Sequence, residues 1–299
     1  MGIAVGAVAL AAAATAARAD APAFVNGKPE DIKDVKDVDW TAKGEAGLVE
    51  STGNSETTTI TVGLSATRKD KDNKLDMSLA GTFARATVHT ATDANANGVI
   101  DPGELSSSTA TSAENAIAKV RFDRYLTPLD ALYVTGTAAT DRPAGKDFVG
   151  GGQGGYSRGL YKTDAQEVLA ELGYDLSYLR LADDTSTTIH SLRAFVGYKG
   201  KLNTQASLDV SLEALFNANS VTIGARDASA FEDTRLNGNI GITASLSSKL
   251  SLNAAFTAKF DNVPAPLAKI GDLPFAMGYV PVAEKLDTTT KVSLIVKFL

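Results

Sequence analysis

From Lys43 to the end of the chain, apolar and polar residues alternate with a period of two rather than the 3.6 of a helix. The pattern is clearest in the last segment, where Val292, Leu294, Val296 and Phe298 alternate with Lys291, Ser293, Ile295 and Lys297. Successive side chains of a β-strand point to opposite sides, so each segment has one apolar face and one polar face. The pattern predicts an all-β fold.

The alternating segments and the turn residues between them predict twelve strands, near residues 43–53, 55–68, 74–89, 112–126, 131–142, 149–161, 165–181, 187–202, 205–218, 231–247, 249–262 and 286–299. Single-chain bacterial outer-membrane barrels have an even number of strands, short periplasmic turns and longer extracellular loops. The predicted connections alternate in the same way, because 126–130 and 247–249 are tight whereas 90–111 and 263–285 are long. We therefore predict a transmembrane antiparallel up-and-down β-barrel of about twelve strands.

Alternation alone also fits a soluble sandwich or a large lipocalin-like barrel. The unequal connections favour the membrane barrel, and backbone hydrogen bonding explains why it must close. An unpaired N–H or C=O in hydrocarbon costs several kcal/mol, so a sheet that crosses a bilayer has no free edge. The aromatic content of 7%, with Trp40 as the one tryptophan, is lower than the aromatic girdles of such barrels usually require.

The N-terminal region has a different pattern. Residues 1–19 are predicted to be a signal peptide, because 3–17 is apolar and alanine-rich and Ala17-Arg18-Ala19 has the small-x-small form of a cleavage site. A buried helix or a membrane anchor is the alternative. Residues 20–42 contain Pro22, Pro29 and the charged run 30–37, and we expect a solvated periplasmic segment. The barrel is then predicted over 43–299.

The amino-acid composition restricts the classes of function that the chain could have. The 299 residues include no cysteine, so no disulfide framework holds this secreted chain. The formal charge is −6 with acidic and basic residues well mixed, a distribution that does not predict a nucleic-acid partner. Two histidines leave little scope for a metal-dependent enzyme.

One motif, at 93–104, is similar to a calcium-binding loop inserted between two strands of the barrel, and it predicts a calcium site there. The segment DANANGVIDPGE has the spacing of a calcium loop, in which alternate residues direct oxygen ligands toward a hard cation. Gly98 would allow the sharp bend. The candidate ligands are Asp93, Asn95, Asn97, the carbonyl of Val99, Asp101 and Glu104. The alternative is ordinary Asn/Asp/Gly turn chemistry without a metal.

A second set of candidate residues comprises the charges on the polar faces of the strands, which would line the barrel lumen. They are Lys119, Arg121, Asp123, Glu167, Glu171, Asp175, Arg193, Lys199, Asp209, Glu213, Lys259, Lys291 and Lys297. Such charges could form the selectivity field of a pore or a paired network that fills a narrow barrel. The near balance of signs favours the network.

Catalysis is the remaining alternative, since some outer-membrane barrels are lipases. A nucleophile needs Ser and His within hydrogen-bond reach. His190 and Ser191 are neighbours and would point to opposite faces of a strand, and His89 lies near a loop. We therefore predict that the chain is not an enzyme.

The segment Leu48-Val49-Glu50-Ser51-Thr52-Gly53-Asn54-Ser55-Glu56-Thr57-Thr58-Thr59 resembles the opening hairpin of the DUF481 family, often labelled salt-induced outer membrane protein. Asp141-Arg142-Pro143, the glycines 150–152, Asn262-Val263-Pro264 and the ending 285–294 are similar to the family as well, so the resemblance spans about 40–299. It implies a barrel in the bacterial outer membrane, in contact with lipid and recognised by the barrel-assembly machinery through its C-terminal strand. Family members usually end in an aromatic residue, whereas this chain ends Phe298-Leu299.

Three functions are compatible with these observations. The first is a structural or channel-forming barrel, which the family label connects with adaptation of the envelope to ionic conditions. The second is a surface binding or adhesion barrel with calcium-ordered extracellular loops. The third is a lipase-type enzyme.

Overall fold

The computed structural model of the chain is all-β and describes residues 38–51, 56–91, 105–266 and 282–298. In these ranges no helix is long and apolar enough to span a membrane. The strands are β1 (Asp39–Ser51), β2 (Glu56–Asp70), β3 (Asn73–Ala91), β4 (Leu105–Tyr125), β5 (Asp130–Asp141), β6 (Lys146–Lys162), β7 (Gln166–Leu181), β8 (Ser186–Lys201), β9 (Ala206–Asn217), β10 (Val221–Ile223), β11 (Arg226–Ala228), β12 (Thr234–Ser245), β13 (Leu250–Asp261) and β14 (Leu286–Lys297).

Twelve strands form a closed antiparallel barrel in the order β1-β14-β13-β12-β9-β8-β7-β6-β5-β4-β3-β2, and β10 and β11 form a separate hairpin. We name the end with the connections 71–72, 126–129, 163–165, 202–205 and 246–249 the turn end, and the opposite end the loop end. The seam between β1 and β14 is short. It pairs only Lys43–Ala46 with Leu294–Lys297, whereas β1 pairs with β2 along its full length.

The predicted fold class and all twelve strands are confirmed. The two largest differences are at the starts of strands. β1 begins at Asp39, inside the predicted lead-in segment, and β4 begins at Leu105 rather than near 112. The early part of β4 reads LSSSTAT, which has small polar residues on both faces and so carries no alternation signal. Its backbone nevertheless pairs with the end of β3, with Leu105 opposite Ala91.

The alternation seen in the sequence separates an apolar outer face from a polar inner face. Leu172 is 68% exposed and Val134 63%, although both lie in the middle of long strands. Every strand of the barrel adds to this outer face, which we name the apolar belt: Trp40, Ile60, Val62, Leu64, Leu79, Phe83, Val120, Phe122, Leu132, Val134, Tyr156, Leu172, Tyr174, Leu176, Tyr178, Leu192, Val196, Val210, Leu212, Ile240, Ile242, Leu252, Phe256, Val292, Leu294 and Val296.

The glycine-rich stretch of β6 allows close packing inside the wall. Gly155 lies opposite Gly173 of β7, and the hydroxyl of Tyr133 approaches both glycines from β5. A Cβ atom at Gly155 would lie 2.6 Å from the Cα of Gly173 and 2.8 Å from the Tyr133 oxygen, so neither position has room for a side chain. The two glycines therefore create the space that a buried tyrosine occupies in the lumen.

Candidate functional site

The centre of the lumen holds a cluster of buried charges, which we name the lumenal network: Arg121, Asp123, Tyr133, Glu171, Arg193, Glu213 and Asn237. Each residue lies on the inward, polar face of its strand. The strands that contribute are β4, β5, β7, β8, β9 and β12, so β4 and β12 lie six positions apart in a ring of twelve. The network therefore reaches from one wall of the barrel to the opposite wall.

Glu171 is the centre of the network. Its Oε1 accepts a hydrogen bond from Nη2 of Arg121 at 2.6 Å, and its Oε2 accepts from Nη1 of Arg121 at 3.2 Å and from Nη1 of Arg193 at 2.7 Å. Arg121 also donates to both carboxylate oxygens of Asp123, at 2.7 to 3.0 Å. Glu171 is only 2% exposed, so two guanidinium groups compensate one buried carboxylate.

Arg193 continues the network toward β12. Its Nε donates to Oε1 of Glu213 at 2.6 Å, and its Nη1 donates to the hydroxyl of Tyr133 at 2.8 Å. Asn237 then donates to Oε2 of Glu213 at 2.9 Å. The guanidinium of Arg121 stacks over the ring of Tyr133, with 4.3 Å between the carbon and the ring centroid. Cation–π stacking and hydrogen bonds thus hold both arginines in place.

The network leaves little free space. On its turn-end side remains a cavity of about 20 Å³, room for one water molecule, lined by Arg121, Asp123, Tyr125, Leu129, Ala131, Ser157, Gly159, Lys162, Glu167 and Leu169. The opposite wall carries small polar residues, and Thr82, Thr257 and Ser293 there are buried as well. Over the described strands, the centre of the lumen is therefore packed with side chains rather than open to solvent.

The other predicted lumenal charges are distributed along the barrel. Asp175 accepts hydrogen bonds from Gln153 and Ser177, Lys199 pairs with Asp209 at 3.4 Å, and Lys291 pairs with Glu45 at 2.6 Å. Lys119, Glu167 and Lys259 have partners too, and Lys297 is exposed near the turn end. The structure therefore favours the paired network over a single-sign pore lining.

Sequence reasoning missed several members of these clusters. Tyr133 and Asn237 are uncharged, and the pair of Lys74 with Asp76 at 2.6 Å on β3 is not among the inward charges named from the sequence. Tyr133 had a usable signal, because it stands between the outward Leu132 and Val134 and so must point inward.

A second cluster closes the loop end. The connection from β9 to β12 folds into the hairpin β10–β11, and its side chains pack on inward-facing residues of β7 and β8 and on the segment after β13. We name this group the loop-end cap. Its buried members are Leu179, Leu181, Ile189, Val221, Ile223, Ala228, Val263 and Ala265. The sequence predicted 219–230 only as a long loop, because strands of three residues are too short to show a period.

Polar side chains anchor the cap. Asn217 is fully buried, donates to the carbonyls of Asn219 and Ser229 at 2.8 Å each, and accepts from the N–H of Asp233 at 2.9 Å. Gly224 forms the hairpin turn with a positive φ of 60°, against the ring of Pro266. Beside the cap, Lys146 of β6 and Asp261 of β13 pair at 3.3 Å across the lumen.

The predicted calcium ligands Asp93, Asn95, Asn97, Val99, Asp101 and Glu104 lie outside the described residues, so the calcium site stays a prediction. Within the described ranges no group of three or more His, Asp or Glu side chains could hold a metal ion. His190 bonds to the Tyr174 hydroxyl on the outer face, whereas Ser191 is buried inside and accepts from Arg235 at 3.0 Å. These two residues point apart, as expected from their adjacency.

Comparison with solved structures gives barrels that differ widely in sequence. An outer membrane channel from Pseudomonas putida F1 matches with a TM-score of 0.47 and 11% identity, covering 91% of this chain and 100% of that one. The NanC porin matches with a TM-score of 0.45 and 6% identity, covering 87% and 100%. The translocator domain of the autotransporter NalP from Neisseria meningitidis matches with a TM-score of 0.40 and 14% identity, covering 90% and 92%. None of these figures bears on activity.

No curated protein is significantly similar to the chain. The model of one protein family matches residues 44–298, from within β1 to just past the end of β14. That family is described as a protein of unknown function, DUF481. The chain therefore belongs to the DUF481 family, and within it this sequence forms a closed twelve-stranded barrel with an occupied lumen.

Proposed function

We propose that the chain is a bacterial outer-membrane barrel that spans the bilayer and keeps its lumen closed, with a structural role in the envelope rather than that of an open general pore. The observation that carries this proposal is the lumenal network, which reaches from β4 to β12 and buries Glu171 and both arginines.

The apolar belt supports the membrane location. Exposing this many large apolar side chains to water would cost roughly 25 cal/mol for each Å² that could otherwise be buried. A bilayer removes this cost, and the sheet is closed into a ring through the short β1–β14 seam. The tight connections support an orientation with the turn end in the periplasm and the loop end outside. As in other outer-membrane barrels, the C-terminal strand β14 would be the part that the assembly machinery recognises.

The membrane location is tested by substitutions in the apolar belt. Changing Leu252 to Arg should reduce the amount of folded protein in the outer-membrane fraction, at a cost below the roughly 2–4 kcal/mol expected at mid-bilayer, because Leu252 is the third residue of β13 and lies near the turn end. Ser251→Arg is the matched control, because Ser251 is the next residue of the same strand and points inward. Recovery of the wild-type chain as a soluble periplasmic protein would refute the membrane location.

The closed lumen is tested by conductance in planar bilayers. We expect the wild-type protein to give no sustained conductance, because the hydrogen-bonded side chains of the lumenal network reach from β4 to β12 and bury Glu171, Arg121 and Arg193 in the centre of the lumen. The double variant Arg121→Ser with Glu171→Ser removes the two side chains that bridge β4 to β7 and should introduce measurable conductance. Arg142→Ser with Glu114→Ser removes an exposed ion pair and is the control. A steady, large conductance of the wild-type protein would overturn the proposal.

We propose no catalytic role. The support is geometric, since His190 and Ser191 point to opposite faces among the residues that the structure describes. The binding alternative depends on the calcium motif 93–104 and stays a prediction from the sequence.

A further inference from the structure

Two aspartates, Asp233 and Asp261, are diagonal neighbours on the inward face of β12 and β13, beneath the loop-end cap. Asp233 immediately precedes β12 and Asp261 ends β13, where Arg235 and Asp261 are partners in the ladder. Asp233 is fully buried, and neither of its carboxylate oxygens accepts a hydrogen bond from a donor in the described part of the chain. Its nearest cation is Arg235, whose Nε lies 3.6 Å away and whose Nη2 is committed to Ser191.

Asp261 is held from two sides. Its Oδ1 accepts the N–H of Val263 at 3.1 Å, and its Oδ2 lies 3.3 Å from Nζ of Lys146. Lys146 belongs to β6, which four strands separate from β13 along the shorter way round the barrel. This ion pair therefore crosses the lumen, and Asp261 has less freedom to move away from Asp233.

The two carboxyl groups stand at the bases of the two chain segments that form the cap. The hairpin arm, residues 217–233, is anchored where the N–H of Asp233 donates to Asn217. The second arm, residues 262–266, starts directly after Asp261 and contributes the buried Val263 and Ala265. Attraction or repulsion between Asp233 and Asp261 therefore acts on the contact between the arms.

The charged groups around the pair set the direction of its titration. The pKa of Asp233 is raised to about 6, mainly by burial and in part by the neighbouring Asp261, while Arg235 and Lys146 oppose the shift. The other charged residues of the arms are engaged elsewhere or exposed, because Glu232 accepts from the N–H of Ser229, Asp227 accepts from Thr222 and Arg226 is exposed. Lys285, just before β14, donates to Asn262. The proton on Asp233 is thus retained into a mildly acidic range in which an exposed aspartate is ionised.

We propose that Asp233 and Asp261 form a proton-dependent latch for the loop-end cap. With a proton on Asp233, its carboxyl O–H donates to Asp261 and holds the two arms together. Loss of that proton sets two buried carboxylates against each other, so the arms separate and the loop end opens. The latch adds regulation at the loop end to the closed barrel, and it concerns the cap rather than the lumenal network.

The sign of the effect follows from linkage. A carboxyl whose pKa is higher in the closed cap than in the open chain binds its proton more tightly when the cap is closed. This contribution to cap stability is fully present below the ordinary pKa of 3.8 and is lost as the pH rises through about 6. The cap should therefore be tightest in acid and loosest at neutral and alkaline pH.

Hydrogen–deuterium exchange of the full-length barrel in detergent micelles tests the latch. Protection factors of peptides covering 219–232 should fall by about tenfold between about pH 5 and about pH 8, with a midpoint near the pKa of Asp233. Protection factors are compared because they remove the intrinsic pH dependence of exchange. Peptides from the barrel wall at 166–178 should show no step.

Substitutions distinguish the titration of the latch from the titration of other groups in the protein. Asp233→Asn keeps a neutral donor next to Asp261 and should abolish the step while keeping the cap protected. Asp261→Asn removes the neighbouring charge and should move the midpoint to lower pH, so it also tests the latch should Asp233→Asn not fold. Asp227→Asn, on the exposed side of the hairpin, is the control and should leave the step unchanged. A wild-type profile without a step, or a step that persists in Asp233→Asn, would overturn the latch.

Discussion

The lumenal network and the loop-end cap both fill the barrel, but with opposite chemistry. The network joins strands of the wall through charged hydrogen bonds, and each of its members is fixed by a backbone that pairs on both sides. The buried core of the cap is apolar, and five of its eight residues come from connections rather than from barrel strands. The lumenal network is carried by the wall strands, so it can open only if the wall deforms. The loop-end cap is carried largely by connections, so it can move away from the lumen while the wall stays intact. For the closed barrel that we propose, this difference predicts that the centre is the permanent closure and the loop end the adjustable one.

The strongest test of this comparison removes the centre of the network. Glu171→Leu leaves Arg121 and Arg193 buried without their shared carboxylate, and we expect a loss of about 3–5 kcal/mol in the free energy of unfolding. Urea titration of the barrel in detergent measures it. Glu114→Leu breaks an exposed pair with Arg142 and should cost no more than about 1 kcal/mol. Equal losses in the two variants would show that the network is not the buried closure described above.

The independent stability of the loop-end cap is tested by a substitution that creates a cavity in it. Leu181 is 1% exposed in the cap, so Leu181→Ala should cost about 2–3 kcal/mol of local stability. We expect faster hydrogen exchange at 219–232 but little change at 166–178. Phe231→Ala, at an exposed position on the hairpin arm, is the control. Simultaneous loss of protection in the wall would mean that cap and wall unfold as one unit, against the comparison.

A smaller change sharpens the role of Tyr133. Tyr133→Phe keeps the ring under Arg121 but removes the hydroxyl that accepts from Arg193, and we expect a loss of about 1.5 kcal/mol in urea titration. Tyr156→Phe, on the outer face, should cost less. If the two substitutions have the same effect, the hydroxyl of Tyr133 is not part of the network.

The smallest expected effect on stability concerns calcium at the loop end. The motif 93–104 has three carboxylates, Asp93, Asp101 and Glu104, so we expect a dissociation constant on the order of 10⁻⁴–10⁻³ M. Calcium should protect this connection from protease while the melting temperature of the barrel stays unchanged, and Glu104→Ala should abolish the protection. Calorimetry at millimolar calcium that detects no binding would reduce the motif to a turn.

The sequence alone was sufficient to predict the strands that form the wall of the barrel. Residues such as Val292, Leu294 and Val296 alternate with polar residues because one face of each strand contacts an apolar phase. The alternation therefore predicts where the strands lie, which face of each strand points outward and how many strands there are. It also identified Arg121, Glu171, Arg193 and Glu213 as inward charges. Which charges meet was not predictable, because Arg121 and Glu171 lie on strands separated by two others and meet only through the curvature of the closed sheet.

The cap was not predictable for a different reason. Val221, Ile223 and Ala228 are buried by partners that lie far along the chain, Leu181 and Val263 among them, and a hairpin of three-residue strands has no period to detect. Asp233 and Asp261 look like ordinary polar residues at strand ends. Only the closed barrel places them beneath the same apolar group.

The short seam between β1 and β14 has a consequence for the order of folding. Every other neighbouring pair in the barrel is consecutive along the chain or nearly so, whereas Ala46 and Leu294 meet across almost the whole sequence. Contacts of such long sequence separation carry the largest closure entropy and form slowly. We expect the hairpins to zip first and the ring to close last. Because only Lys43–Ala46 joins the two strands, the same seam should be the first to part when the barrel is pulled from its ends.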